Sequence, residues 1–178
     1  MFTLQKAKLP QAVEVGGSFY KIHTNFKYFL RLGDLLKQKT AGLKDFDFMY
    51  IDKIPPSRLE GIRALVEFMN PPRELPRTRG KGGERVLDYE IDAPYIYAAF
   101  MEQYGIDLIE TRLHWYKFVA LLHGLHDTEL NKIINARLYK PNGKNSEYEK
   151  AQQKQYEAWR LPEEEPDEAL DEFLNQFK

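Results

Sequence analysis

With 178 residues, 43% of them hydrophobic and 13% aromatic, the chain can fill one ordinary core, or one core with a small appendage, but not two full domains. A net charge of −1 and a pI near 6.4 exclude a field that would draw the whole chain to nucleic acid or to an anionic membrane, so such binding would have to be local. The absence of cysteine excludes a disulfide framework, thiolate zinc sites and a cysteine nucleophile.

Taken in chain order, Met1–Gln11 shows no basic region leading into an apolar run. No apolar stretch approaches the roughly 20 residues that span a bilayer, so a cytosolic place of work is expected. Ala12 to Ile22 (AVEVGGSFYKI) places two short β-branched and aromatic runs around Gly16 and Gly17, the signature of a tight hairpin. Thr24 or Asn25 can cap a following helix on which Phe26, Phe29, Leu30, Leu32 and Leu36 recur near helical spacing. From Lys37 to Pro56 the pattern is poor, with a short helix expected within Asp45–Ile54. Ser57 and Glu60 form an S-x-x-E capping box for a helix carrying Leu59, Ile62, Leu65, Val66 and Met69, which Pro71 and Pro72 should end.

Asn70 to Arg85 holds three prolines, three glycines and five basic residues against two acidic ones, and is expected to be an exposed loop. Next, Asp92 is placed to cap a helix with Pro94 in its first turn and Gly105 at its end. At about 100° per residue, Tyr97, Phe100 and Tyr104 share one face of it and Tyr95 points away with Glu102, which reads as a core stripe and not as a platform for stacking bases. A central helix is expected from about Thr111 to His123, with Trp115, Phe118, Val119 and Leu122 within one arc, and another from about Asp127 to Leu138. Ser146 and Glu149 start a polar helix with Tyr148, Ala151, Gln155 and Trp159 on one side. The expected fold is therefore mainly α with a small N-terminal β-hairpin, residues 1–160 forming one domain and residues 161–178 an acidic tail.

No constellation for chemistry assembles along this chain. His123, His126 and Asp127 come nearest to a ligand cluster, but Gly124 breaks the helix between the histidines. His114, nine residues earlier, points to the opposite side of its helix. The loop at Gly143 has Leu138 where a phosphate-binding P-loop needs its first glycine, and the loop at Gly80 has Arg85 where G-x-G-x-x-G needs its last. No catalytic, cofactor-binding or metal-binding residue is assigned, no cofactor is expected, and an enzyme is not expected. Two contact candidates remain. Arg73, Arg77, Arg79, Lys81 and Arg85 could touch phosphates, or simply form a solvated connection. The acidic stretch has seven carboxylates from Glu163 to Glu172, and Leu170, Phe173, Leu174 and Phe177 fall on one narrow helical stripe. Such a segment docks on a partner or on its own domain.

The stretch Val86–Glu110 (VLDYEIDAPYIYAAFMEQYGIDLIE), followed by Leu113, His114, Trp115, Lys117, Phe118, Ala120, Leu121, Gly124 and Leu125, closely resembles a family of small bacteriophage proteins also found in prophages. The likeness extends to the N-terminal LPQAVEVGGSFYKIHTNF, to the basic loop and to the acidic C-terminus. The resemblance implies a gene in the tail-morphogenesis module, near that of the tape-measure protein, a position like that of tail assembly chaperones, which keep the tape measure soluble and help tube subunits collect on it. It implies the tape-measure protein, the tail tube protein or both as partners, and the host bacterial cytoplasm as the place of assembly. It carries no catalytic residues. A structural component of the virion tail or connector is the alternative, and a nucleic-acid-binding regulator using the basic loop is a third reading.

Overall fold

The computed structural model describes residues 8–38, 40–70, 85–140 and 146–162. It is mainly helical with an N-terminal hairpin, as the residue patterns predict, and the chain divides into two compact units.

The first unit takes residues 8–70 together with Arg112–Val119. Strands β1 (Ala12–Val15) and β2 (Ser18–Lys21) pair antiparallel in the register Val13↔Tyr20 and Val15↔Ser18. Gly16 and Gly17 join them at φ 56° and 74°, the two consecutive positive values that a type I′ turn needs and that side chains other than glycine resist. Period-2 alternation buries Val13, Val15 and Tyr20 on one face, and β1 lies against α2 (Arg58–Met69).

Asn25 starts α1 (Phe26–Leu36) by accepting from the N–H of Lys27 at 3.0 Å, and Phe26, Phe29 and Leu32 are its buried stripe. The weakly patterned stretch after it contains a 3-10 helix, Leu43–Met49. Residues three apart eclipse in a 3-10 helix, so Phe46 and Met49 bury together. In α2 the Ser57 hydroxyl accepts from Glu60 N–H at 3.3 Å. The buried face is Gly61, Ile62, Leu65 and Phe68, turned from the expected one because Phe68 stacks on Phe29 at 5.4 Å and on Tyr116 at 4.8 Å. Trp115 completes this aromatic core, stacking on Phe29 at 5.2 Å and donating its indole N–H to the Met69 carbonyl at 2.8 Å.

The second unit takes residues 85–111 and 120–162. Helix α3 (Ala93–Tyr104) ends at Gly105, φ 63°, whose N–H reaches the carbonyls of Met101 and Phe100. Its buried face is Ile96, Ala99 and Phe100. Tyr97 and Tyr104 are half-buried and Met101 is exposed, while Tyr95 is not turned away: it meets Trp159 edge to face at 5.7 Å. Helix α4 (Trp115–Gly124) contributes its second half, and the Tyr104 hydroxyl donates to Leu121 O at 2.9 Å. Thr128 and Asn131 cap α5 (Glu129–Arg137) reciprocally, and Ser146 caps α6 (Glu147–Trp159) by accepting from Glu149 N–H at 3.2 Å.

Two further expectations need correction. Helix α4 begins at Trp115 and not near Thr111, because His114 bridges Asn25 instead of joining the helix: Leu113 O accepts from Phe26 N–H at 2.9 Å, and Trp115 N–H donates to Thr24 O at 2.7 Å. The inner side of α6 is Glu149, Gln152, Tyr156 and Trp159, all half-buried, while Tyr148 is 70% exposed. The helix is therefore rotated by about one residue from the expected face, with Glu149 turned in to accept from the Tyr139 hydroxyl.

Candidate functional site

The predicted partner stripe, Leu170, Phe173, Leu174 and Phe177, lies outside the described residues, as do Arg73, Arg77, Arg79 and Lys81 of the basic loop. Arg85 is described, and it forms an ion pair with Asp88. The Asp88 carboxylate also accepts from the N–H groups of Glu90 at 2.8 Å and Ile91 at 2.7 Å, so Arg85 braces the turn that leads into α3.

Asp92 does not cap α3 with its side chain. Its two oxygens accept from the Arg137 guanidinium at 2.6 and 2.8 Å, and one of them also from Asp88 N–H at 2.9 Å. Arg137 further donates to Val86 O at 3.0 Å and to Trp159 O at 2.7 Å. Both members of the pair are buried, and the fork geometry with added backbone acceptors is what a buried charge pair requires. The consequence is positional: one guanidinium ties the backbone at Val86 to the backbone at the end of α6. Arg137 was missed in the sequence, although it sits on the stripe of Leu130 and Ile133, where a charge needs a partner.

The histidines do not converge. His123 and His126 are exposed, and His126 lies against Gln103. His114 in the first unit donates from Nε2 to Pro10 O at 2.9 Å while its Nδ1 accepts from Tyr116 N–H at 3.1 Å, which fixes the neutral tautomer. Burial pushes its pKa below the ordinary histidine value, with Lys117 acting the same way and the Pro10 carbonyl opposing. Among the described residues no group of three or more His, Asp or Glu side chains is placed to hold a metal ion, and no helix is long and apolar enough to cross a membrane.

The first unit carries an exposed apolar face. Phe19 is 68% exposed on the outer side of β2, opposite Glu14 of β1. The chain at Tyr50 bridges Ile22, and Ile51 N–H donates to Lys21 O at 3.1 Å, which sets Ile51, 52% exposed, beside Lys21 on that outer side. Ile54 is exposed nearby in sequence, and the Lys21–Asp52 pair at 3.0 Å edges the patch. An outward Phe and Ile rimmed by opposite charges is the kind of surface that protein contacts cover.

Comparison with curated proteins finds no match, and neither does comparison with solved structures. A protein-family model described as "Bacteriophage Gp15 protein" matches residues 6–161, which takes in the hairpin, every described helix and the buried arginine pair. On that match over most of its length, the chain belongs to the bacteriophage Gp15 protein family.

Proposed function

We propose that this bacteriophage protein is a tail morphogenesis factor, a tail assembly chaperone or accessory that binds the tape-measure protein, the tail tube protein or both. The observation that carries the reading is the outward pair Phe19 and Ile51, one large apolar side chain on the hairpin and one on the segment that pairs with its second strand, while the other face of the hairpin is committed to the core. Fully covering such side chains returns roughly 1.5 to 3 kcal/mol each, enough for reversible attachment to an apolar helical stripe but not for permanent incorporation. The stripe Leu170, Phe173, Leu174 and Phe177 supplies a second set of anchors, and the carboxylates between Glu163 and Glu172 keep the resulting complex soluble by like-charge repulsion. The reading assigns no catalytic step and no cofactor, and it places the protein in the host cytoplasm during assembly. Its likeness to tail-module proteins encoded beside the tape measure supports the choice of partner. Quantitative mass spectrometry of purified virions tests it: a chaperone is absent from the finished particle, whereas a fixed copy number per virion would make the protein a structural subunit of the tail or connector.

A further inference from the structure

On the first unit His23, Tyr28 and Phe48 form a row of near-parallel rings, with centroids 4.3 Å apart at 14° for the first pair and 6.1 Å apart at 18° for the second. The row ends in Arg31, whose guanidinium carbon lies 4.2 Å from the Phe48 ring centroid. The three rings are half-buried and Arg31 is exposed, so the edges of the row face solvent. A guanidinium stacked on a ring keeps its N–H donors at its edge, free to take a carboxylate in a two-pronged fork. No carboxylate among the described residues pairs with Arg31. The two acidic residues of the neighbouring 3-10 helix are engaged elsewhere, Asp47 by Arg58 at 2.9 Å and Asp45 by the Gly42 N–H at 2.7 Å.

The charge of the two units points the same way. Described residues of the first unit include eleven Lys and Arg against seven Asp and Glu, and those of the second include seven against eleven, so an acidic occupant belongs on the first. The chain carries one segment of matching chemistry outside the described residues: Glu163–Lys178, with seven carboxylates up to Glu172 and the apolar stripe that ends at Phe177. Ten extended residues span roughly 35 Å, so the anchors can travel far from Pro162. We propose that segment 163–178 docks on the Tyr28–Phe48–Arg31 row of its own chain, a carboxylate entering the Arg31 fork and a phenylalanine of the stripe lying against the ring edges. The contact is exposed and therefore weak, salt-sensitive and released when the segment finds another surface.

Zero-length carbodiimide coupling of the purified full-length protein, followed by peptide mass spectrometry, tests this without any partner. The expected product joins Lys27, one helical turn from Arg31, or Lys44 to a carboxylate between Glu163 and Glu172. It should stay in the monomer band at every protein concentration, and its yield should fall about threefold to tenfold in 1 M salt or in Arg31→Glu, as loss of an exposed charge-assisted pair implies. Phe173→Ala with Phe177→Ala, which leaves every residue of the ring row unaltered, should lower the same yield. Absence of the cross-link, a yield indifferent to Arg31→Glu and to salt, or its appearance only in a dimer band would overturn the proposal. Because no tail-module protein is present, failure here leaves the proposed partner binding to be judged separately.

Discussion

Arg137 reaches back to Asp92, 45 residues earlier in the chain, and holds both of its carboxylate oxygens, at 2.6 and 2.8 Å, in the interior of the second unit. Removing one member leaves the other charge buried and unpaired, at a cost of about 3 to 5 kcal/mol. Asp92→Asn or Arg137→Met should therefore move the urea unfolding midpoint far down, followed by the fluorescence of Trp159, whose carbonyl the same guanidinium holds. Replacing both with apolar residues should cost less than the two single changes added together, because no orphaned charge remains. Equal, additive losses would show that the pair does not act as a unit.

His114 makes stability depend on pH with a definite sign. Its folded pKa is lowered from 6.5 chiefly by burial, so between the folded value and 6.5 the unfolded chain binds more protons than the folded one. The contribution is fully present above about pH 6.5 and is lost as pH falls toward the folded value. His114→Asn keeps an acceptor for Tyr116 N–H and removes the titration. Its unfolding free energy should lose this component of the change between pH 5 and 7.5, and a wild-type slope retained unchanged in the variant would assign the dependence to another group.

Gly61 sits where the Tyr50 ring passes. A Cβ there would lie 2.6 Å from the Tyr50 hydroxyl and 3.2 Å from the Pro55 ring. That hydroxyl is buried without a hydrogen-bond partner among the described residues, and burial together with Asp47 and Tyr20 raises its pKa. Gly61→Ala gains about 1 kcal/mol in helix propensity but should still destabilise, since overpacking of this kind typically costs 1 to 3 kcal/mol. Tyr50→Phe should be neutral or stabilising, because it deletes an unsatisfied polar group, and in that background Gly61→Ala should become much less harmful. Calorimetric melting of the three variants decides; a harmful Tyr50→Phe would mean that the hydroxyl has a partner after all.

Much of the fold was legible because its signals are local. Gly16–Gly17 dictates the hairpin, and Asn25 and Ser57 cap the helices they were expected to cap. The misreadings share one cause, competition from residues distant in sequence. Asp92 precedes Ala-Pro and looks like a cap, yet Arg137 takes its carboxylate. Leu113 and His114 continue a helical pattern, yet the backbone of Thr24 and Phe26 draws them into a bridge. Of the candidate site residues only Arg85 falls within the described residues, and it pairs with Asp88. The exposed Phe19 and Ile51 carried no warning in the sequence, since alternation says which face a side chain takes but not whether anything covers it.

Phe173→Ala combined with Phe177→Ala should leave thermal unfolding nearly unchanged while weakening capture of a tail-module partner. A short amphipathic segment of this length is too small to be stable alone, and ordering it costs about 1 to 2 kcal/mol per residue, which burial of four anchors at roughly 1.5 to 3 kcal/mol each can largely offset on a partner. A large fall in melting temperature with capture intact would assign the segment to the protein's own core.

The most direct measurement is capture itself: purified full-length protein, immobilised and presented separately with the tape-measure and tail tube proteins of the same phage, at moderate and high salt. The account predicts retention of at least one of them by the wild type and a loss of about tenfold or more when Phe19→Ser and Ile51→Ser remove the outward apolar pair, with melting temperature held because both side chains are exposed in the free protein. Retention of neither protein, or retention indifferent to Phe19 and Ile51, would contradict it.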